Sequence, residues 1–277
     1  MKYTGKNVTA VILDTGIYPH RDFDCRIIKF VDFIFDRSMP YDDNGHGTHV
    51  AGILGGSGIA SGGKYCGAAP KCNLISLKVL DRFGNGNNEH LLMAFRWILE
   101  NQEKYKIRIV NISVGTTERI SRKTDALIEG VERLWDAGLV VVAAAGNKGP
   151  KPGTITAPGC SKKIITVGSS DMLNGIKGIS GCGPTAECVC KPDLVAPGYR
   201  ITSCIPGENS PYGIKSGTSM STPQISGSIA LALEKAPYLT NLDIKILLRK
   251  SCMDLGMQPN QQGWGLFDKN KFIMAIK

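Results

Sequence analysis

The sequence predicts an α/β fold: a mostly parallel central sheet with helices on both faces. Three observations carry this. Short runs rich in Val and Ile recur along the chain. Stretches with the apolar spacing of helices separate them. The runs are apolar throughout rather than alternating, as strands covered on both faces are.

The elements follow in chain order. Residues 7–13 read as the first strand and 27–33 as the second. A tight turn then leads into a helix of small residues over 46–55, a strand over 73–79, and a helix over 88–102. Strands follow at 109–113, 140–144 and 164–168, with a helix over 123–136 between the first two. Two more helices are expected at 219–235 and 241–251. The glycine-rich stretches 55–63 and 181–183 read as surface loops, and 146–159 as a Pro/Gly-rich excursion between strands. None resembles a linker, so residues 1–277 are expected to form a single domain.

With 42% hydrophobic and 21% charged residues, the composition excludes a disordered or fibrous chain. The longest uninterrupted apolar run, Leu139 to Ala145, is far short of the roughly 18 residues a membrane helix needs, so no membrane partner is expected. The net charge of +9 comes from 33 basic and 24 acidic residues scattered along the chain. They form no zinc-finger or aromatic-basic pattern, so a solvated basic surface is expected and a nucleic-acid partner is not expected. Nine cysteines, an odd number, favour reduced thiols. The stretch from Val8 to Leu13 is too short and too soon closed by Asp14 for a signal core, so a cytoplasmic location is expected. Secretion would require a leader and prodomain not in this sequence.

In open α/β sheets ligands gather beyond the carboxyl ends of the strands. Three such places carry chemistry. Asp14-Thr15-Gly16 closes the first strand, although Asp-x-Gly also serves as an ordinary turn. Asp42-Asp43-Asn44-Gly45-His46-Gly47-Thr48-His49 delivers a histidine to a helix start. Its two histidines are three apart with no Glu between, which does not fit the zinc-protease pattern. The third, Gly217-Thr218-Ser219-Met220, sets a serine at the head of a helix, with Pro223 suited to its first turn. Ser219 there is either an N-cap or an acyl-transfer nucleophile beside amide groups that stabilise an oxyanion. Ser226, Gly227, Ser228 and Ala230 imply close packing of that helix.

Aspartate, histidine and serine in this order, with Ala145-Gly146-Asn147 after another strand, resemble the subtilisin-like serine proteases. The resemblance runs from about residue 7 to 267 and implies a serine endopeptidase. It implies Ser219 as nucleophile, His46 as general base and acid, Asp14 as the carboxylate orienting the imidazole, and Asn147 as an oxyanion donor. It makes His49 structural. Ser113-Val114-Gly115 resembles the segment that pairs with an extended substrate, Ala145-Gly146 flanks the same cleft, and Ala157-Pro158-Gly159 resembles the floor of the primary specificity pocket.

Departures from the family pattern matter too. The family's calcium loop after the histidine-bearing helix is replaced by a carboxylate-free stretch through Gly63-Lys64, leaving Asp22 without its loop partners. No cofactor is needed for the chemistry, and no metal site is assigned; the resemblance leaves a structural calcium open, but the usual family loop does not support one. Tyr18-Pro19-His20 and Ser61-Gly62-Gly63 look most like the bacterial intracellular branch. Polypeptide substrates are expected, and a propeptide or inhibitor protein is a candidate partner. A silent pseudoprotease of the same fold is the alternative, and the intact catalytic positions argue against it.

Overall fold

The computed structural model describes residues 3–116, 122–174, 178–207, 209 and 211–276, with backbone only at 122–124. The strands are β1 (Thr9–Asp14), β2 (Ile27–Asp32), β3 (Asn73–Lys78), β4 (Ile107–Ile112), β5 (Val140–Ala144), β6 (Ile165–Ser169), β7 (Leu194–Ala196), β8 (Ile201–Cys204), β9 (Tyr212–Lys215), β10 (Cys252–Met253) and β11 (Leu266–Phe267). The helices are α1 (His46–Gly55), α2 (Asn88–Tyr105), α3 (Arg122–Asp136), α4 (Thr218–Lys235), α5 (Asn241–Lys250), α6 (Pro259–Gln262) and α7 (Lys269–Met274).

Among the described residues one nine-stranded sheet runs β10-β11-β7-β6-β5-β4-β1-β3-β2, parallel except at its β10-β11 edge. Every residue of β1, β5 and β6 is buried, as strands sandwiched between helices must be. Helices α1 and α4 cover one face, while α2 and α3 pack on each other over the other. β1 lies between β3 and β4, so the chain reverses its winding beside β1 and opens a crevice at the strands' carboxyl ends.

The small residues of α4 let it approach α1 closely: a Cβ on Gly227 would lie 2.8 Å from the Leu54 carbonyl oxygen. Two expectations are corrected. The 181–183 stretch is buried, because Gly181 packs on Ala145 with its N–H donating to the Gly146 carbonyl at 2.7 Å, and a Cβ there would meet the Ala145 oxygen at 2.3 Å. Pro223 falls inside α4 rather than in its first turn, since the helix begins at Thr218. Strands β7 to β11 have only two to four residues each, too few for a periodicity to declare itself.

Candidate active site

The site is assembled where β1 meets α1. Asp14 ends β1 fully buried, and its Oδ1 accepts the Thr15 N–H at 2.8 Å. The turn behind it is crossed so closely by α1 that only glycine fits: a Cβ on Gly47 would lie 2.1 Å from the Gly16 carbonyl oxygen. His46 opens α1, and its Nδ1 sits 2.7 Å from Asp14 Oδ1. A carboxylate only accepts, so Nδ1 carries the proton and Nε2 keeps its lone pair. Burial pushes the His46 pKa down, but the charge of Asp14 and its hydrogen bond outweigh this and hold it above its ordinary value.

Asp42 locks strand end to helix start. Its Oδ1 accepts from Thr15 Oγ1 and the Gly45 N–H, both at 2.8 Å, and its Oδ2 from the Thr48 N–H at 2.8 Å and Oγ1 at 2.6 Å. Burial raises its pKa, yet these donors overcome that and hold it below the usual carboxylate value. From the end of β3, buried Lys78 donates to the Thr15 and Leu80 carbonyls at 2.6 and 2.9 Å and to Asp43 Oδ1 at 2.8 Å. Asp42 is visible in sequence as part of the turn before His46, but this bracing role needs the fold. Lys78 carries no sequence signal beyond a charge closing an apolar strand.

Ser219 sits in the first turn of α4, behind Gly217, which caps the helix at φ +144°. It is therefore not itself the cap. Its N–H belongs to the first helical amides, which have no preceding turn to bond and face the positive end of the dipole. The Ser219 hydroxyl donates to the Ser113 carbonyl at 2.8 Å. Asn147 Oδ1 accepts from the Thr218 N–H at 3.0 Å and from its hydroxyl at 3.2 Å. That fixes the amide oxygen on Thr218 and leaves Nδ2 unengaged by it, close enough to Gly217 that a Cβ there would stand 3.2 Å away.

A cleft of about 1020 Å³ runs past His46, lined by Ser113, Val114 and Gly115 and by Asn87, Glu89 and Leu91. A smaller pocket of about 310 Å³ opens from it beside Ser219, Gly146 and Asn147. Ala145, Ala157, Pro158 and Gly159 are buried behind that pocket's wall rather than on its surface. Thr116 donates its N–H to the Ala157 carbonyl at 2.9 Å, fastening the 113–116 segment to that wall, and Gly159 backs onto the Ala144 carbonyl. Thr218, inside the motif of Ser219, lines the pocket with Thr156 and Lys148, which stand next to motifs the sequence singled out.

His49 takes no part in this group. It is fully buried, with Nε2 at 3.0 and 3.1 Å from the Ile201 and Gly213 carbonyls, so it ties α1 to the β8-β9 hairpin. Burial drives its pKa down to about 4.

Asp22, buried, was the one match to a family calcium position. Its oxygens accept the Gly58 and Ala60 N–H groups at 3.0 and 2.9 Å and the Tyr212 hydroxyl at 2.7 Å. His20 and Cys204 converge on it, but Cys204 Sγ bonds Asp22 at 3.5 Å, and the His20 ring is engaged by the Pro211 carbonyl at 2.9 Å and the Asp22 N–H at 3.0 Å. The 58–60 loop offers N–H donors where a cation wants oxygens, so these residues do not fit calcium. All nine cysteines are unpaired. Among the described residues no helix is long and apolar enough to cross a membrane.

Fold and site define a doubly wound α/β protein with Asp14 and His46 in contact where β1 meets α1 and Ser219 at the head of α4 against Ser113. Residues 5–265 match the model of Peptidase S8, the subtilase family, and the chain belongs to that family. It is similar to Serine protease AprX of Bacillus subtilis (strain 168), 41% identical over 270 residues, covering 89% of this chain and 61% of that protein. It is also similar to Subtilisin Savinase of Lederbergia lenta, 33% identical over 95% of this chain and 89% of the relative. Minor extracellular protease Epr of Bacillus subtilis (strain 168) is 34% identical over 95% of this chain but only 37% of its own length. The chain thus spans under two thirds of AprX and little more than a third of Epr. The crystal structure of a cold adapted subtilisin-like serine proteinase superposes with a TM-score of 0.77 at 30% identity, over 96% of this chain and 89% of that one.

Proposed function

We propose that this protein is a serine endopeptidase that cleaves polypeptides through an acyl-enzyme. The observation that carries this reading is the 2.7 Å contact between His46 Nδ1 and Asp14, with Ser113, Val114 and Gly115 lining both the cleft past His46 and the pocket that holds Ser219. The Ser219 hydroxyl swings from the Ser113 carbonyl toward His46 Nε2, a realignment expected when substrate fills the cleft. Ser219 Oγ attacks the scissile carbonyl carbon while its proton passes to Nε2, and Asp14 stabilises the imidazolium formed. Negative charge develops on the carbonyl oxygen, where Asn147 Nδ2 and the Ser219 N–H donate to it. Collapse breaks the C–N bond as His46 returns the proton to the leaving amine. Water, deprotonated by His46, then releases the acid and restores the Ser219 hydroxyl.

The segment Ser113-Val114-Gly115 would add a substrate strand to its edge, which supplies affinity with little side-chain preference. Gly146 and the wall built on Ala145 and Ala157-Pro158-Gly159 would bound the primary pocket. A propeptide or inhibitor protein would occupy the same cleft. A reducing, cytoplasmic setting is supported by nine unpaired thiols. No calcium at Asp22 is part of this reading. A fluorophosphonate tests it: mass mapping should find the adduct on Ser219, and labelling elsewhere would overturn it.

A further inference from the structure

α4 carries a proline four residues after its candidate nucleophile, and the consequence for Ser219 is local. In a regular helix the Ser219 carbonyl would accept the N–H of residue 223, but Pro223 has none. Ser113 Oγ takes that place, donating to the Ser219 carbonyl at 3.2 Å. Ser113 therefore clasps Ser219 twice, since its own carbonyl accepts the Ser219 hydroxyl.

The clasp is itself held. Asn111 Nδ2 donates to Ser113 Oγ at 3.0 Å, and Asn111 Oδ1 accepts the Ser226 hydroxyl at 2.8 Å. Asn111 and Ser226 are fully buried and Ser113 nearly so. Thr222 and Ser228, on the same helix, turn their hydroxyls back onto the Thr218 and Gln224 carbonyls, the usual habit of helical hydroxyls. Ser226 instead leaves α4 and reaches the centre of the sheet, where Asn111 stands between apolar Val110 and Ile112. An amide buried there needs both ends bonded.

We propose that Ser226 and Asn111 are positioning residues, acting through Ser113 as a one-directional hydrogen-bond relay that fixes the main chain of Ser219. This rests on the serine endopeptidase reading. Direction is the essential property. In the observed arrangement the Ser226 hydroxyl donates to Asn111 Oδ1, which holds the oxygen on that side and leaves the amide nitrogen toward Ser113. Ser113 Oγ then receives a proton from Asn111, and its own proton turns to the Ser219 carbonyl. Without Ser226, the amide is free to rotate by half a turn. Its oxygen would draw the Ser113 proton away and leave the Ser219 carbonyl with no donor.

The test compares Ser226→Ala, Asn111→Asp, Ser113→Ala and the Ser226→Ala/Ser113→Ala double variant with the wild type. The readouts are kcat and KM for a peptide substrate and the rate of Ser219 phosphonylation by a fluorophosphonate. Ser226→Ala should lower kcat and the phosphonylation rate by about tenfold at unchanged KM, the scale of one net buried hydrogen bond. Asn111→Asp, the same shape but an acceptor only, should lose at least as much although its contact with Ser226 survives. The double variant should be no slower than Ser113→Ala alone, because an interrupted relay cannot be interrupted twice. The relay is overturned if Ser226→Ala and Asn111→Asp both keep kcat within about twofold of wild type, or if the Ser226 and Ser113 losses multiply. Should Ser226→Ala fail to fold, Asn111→Asp alone decides by the same criterion. A wild-type chain not labelled on Ser219 overturns the endopeptidase reading, and the relay with it; a labelled wild type with indifferent variants overturns the relay alone.

Discussion

Buried His49 should make this protein lose stability in mild acid, and the size of the loss follows from its surroundings. Its Nε2 faces the Ile201 and Gly213 carbonyls, which favour a proton there, but burial dominates and takes the pKa from 6.5 to about 4. A difference of roughly 2.5 units corresponds to about 3 kcal/mol. In the unfolded chain the ring binds a proton below about pH 6.5, and in the folded chain only below about 4. Between these values the unfolded state holds more protons, so stability falls as pH falls, by about 1.4 kcal/mol per pH unit. Above pH 6.5 and below 4 this residue adds no slope. His46 works in the opposite sense: its raised pKa contributes stability below its unfolded value that is lost as pH rises through the folded one. It is common to both proteins to be compared and cancels. The assay is urea unfolding of Ser219→Ala, which cannot digest itself, against Ser219→Ala/His49→Gln. From pH 6.5 to 5 the histidine-bearing chain should lose about 2 kcal/mol more than its partner. A stability difference that stays constant from pH 7 to 5 would refute the argument that His49 is held neutral.

Asn147→Ala should cut turnover with little change in KM, by the roughly 10²–10³ known for removing the equivalent donor in a subtilisin; weaker binding with unchanged kcat would remove Asn147 from the oxyanion site. Asp22→Asn should destabilise the fold by about 1.5–3 kcal/mol, because an amide nitrogen would then face the Gly58 or Ala60 N–H. A chelator should leave the melting temperature of the wild type unmoved; a fall that Asp22→Asn abolishes would establish a cation there. Native thiol titration should modify Cys25 and Cys188 first, while buried Cys72, Cys182 and Cys204 wait for denaturant. Burial raises the pKa of these three thiols, that of Cys72 to about 12; rapid labelling of Cys72 in the native protein would contradict its placement.

The elements that carry a long apolar pattern were legible in the sequence. The helices beginning at His46 and Asn88 start where the spacing places them, and β5 matches its Val-Val-Val-Ala-Ala run. Each has enough residues for periodicity or β-branching to register. The chain after β6 was harder to read, because its short strands and buried turns are held by main-chain contacts rather than by side-chain pattern. Gly181 illustrates this: it resembles a loop glycine, yet it is small because Ala145 passes behind it. In the site, the positions of Asp14, His46, Ser219 and Asn147 were readable from local motifs. The bracing by Asp42 and Lys78, and the polar chain through Asn111 and Ser226, join residues far apart in sequence. No spacing rule announces those contacts. The sequence motif pointed to Ala157-Pro158-Gly159, but these are buried and Thr156 beside them lines the pocket next to Ser219.

The central claim is that Asp14, His46 and Ser219 act as one unit on a peptide bond. It is tested most directly by peptide hydrolysis in Ser219→Ala, His46→Ala and the double variant, each shown to be folded by circular dichroism. If the account is right, either single substitution abolishes nearly all turnover and the double is no slower than Ser219→Ala, since nucleophile and base do not lose rate additively. A Ser219→Ala protein that still cleaves at the wild-type rate, or His46→Ala and Ser219→Ala losses that multiply, would contradict it.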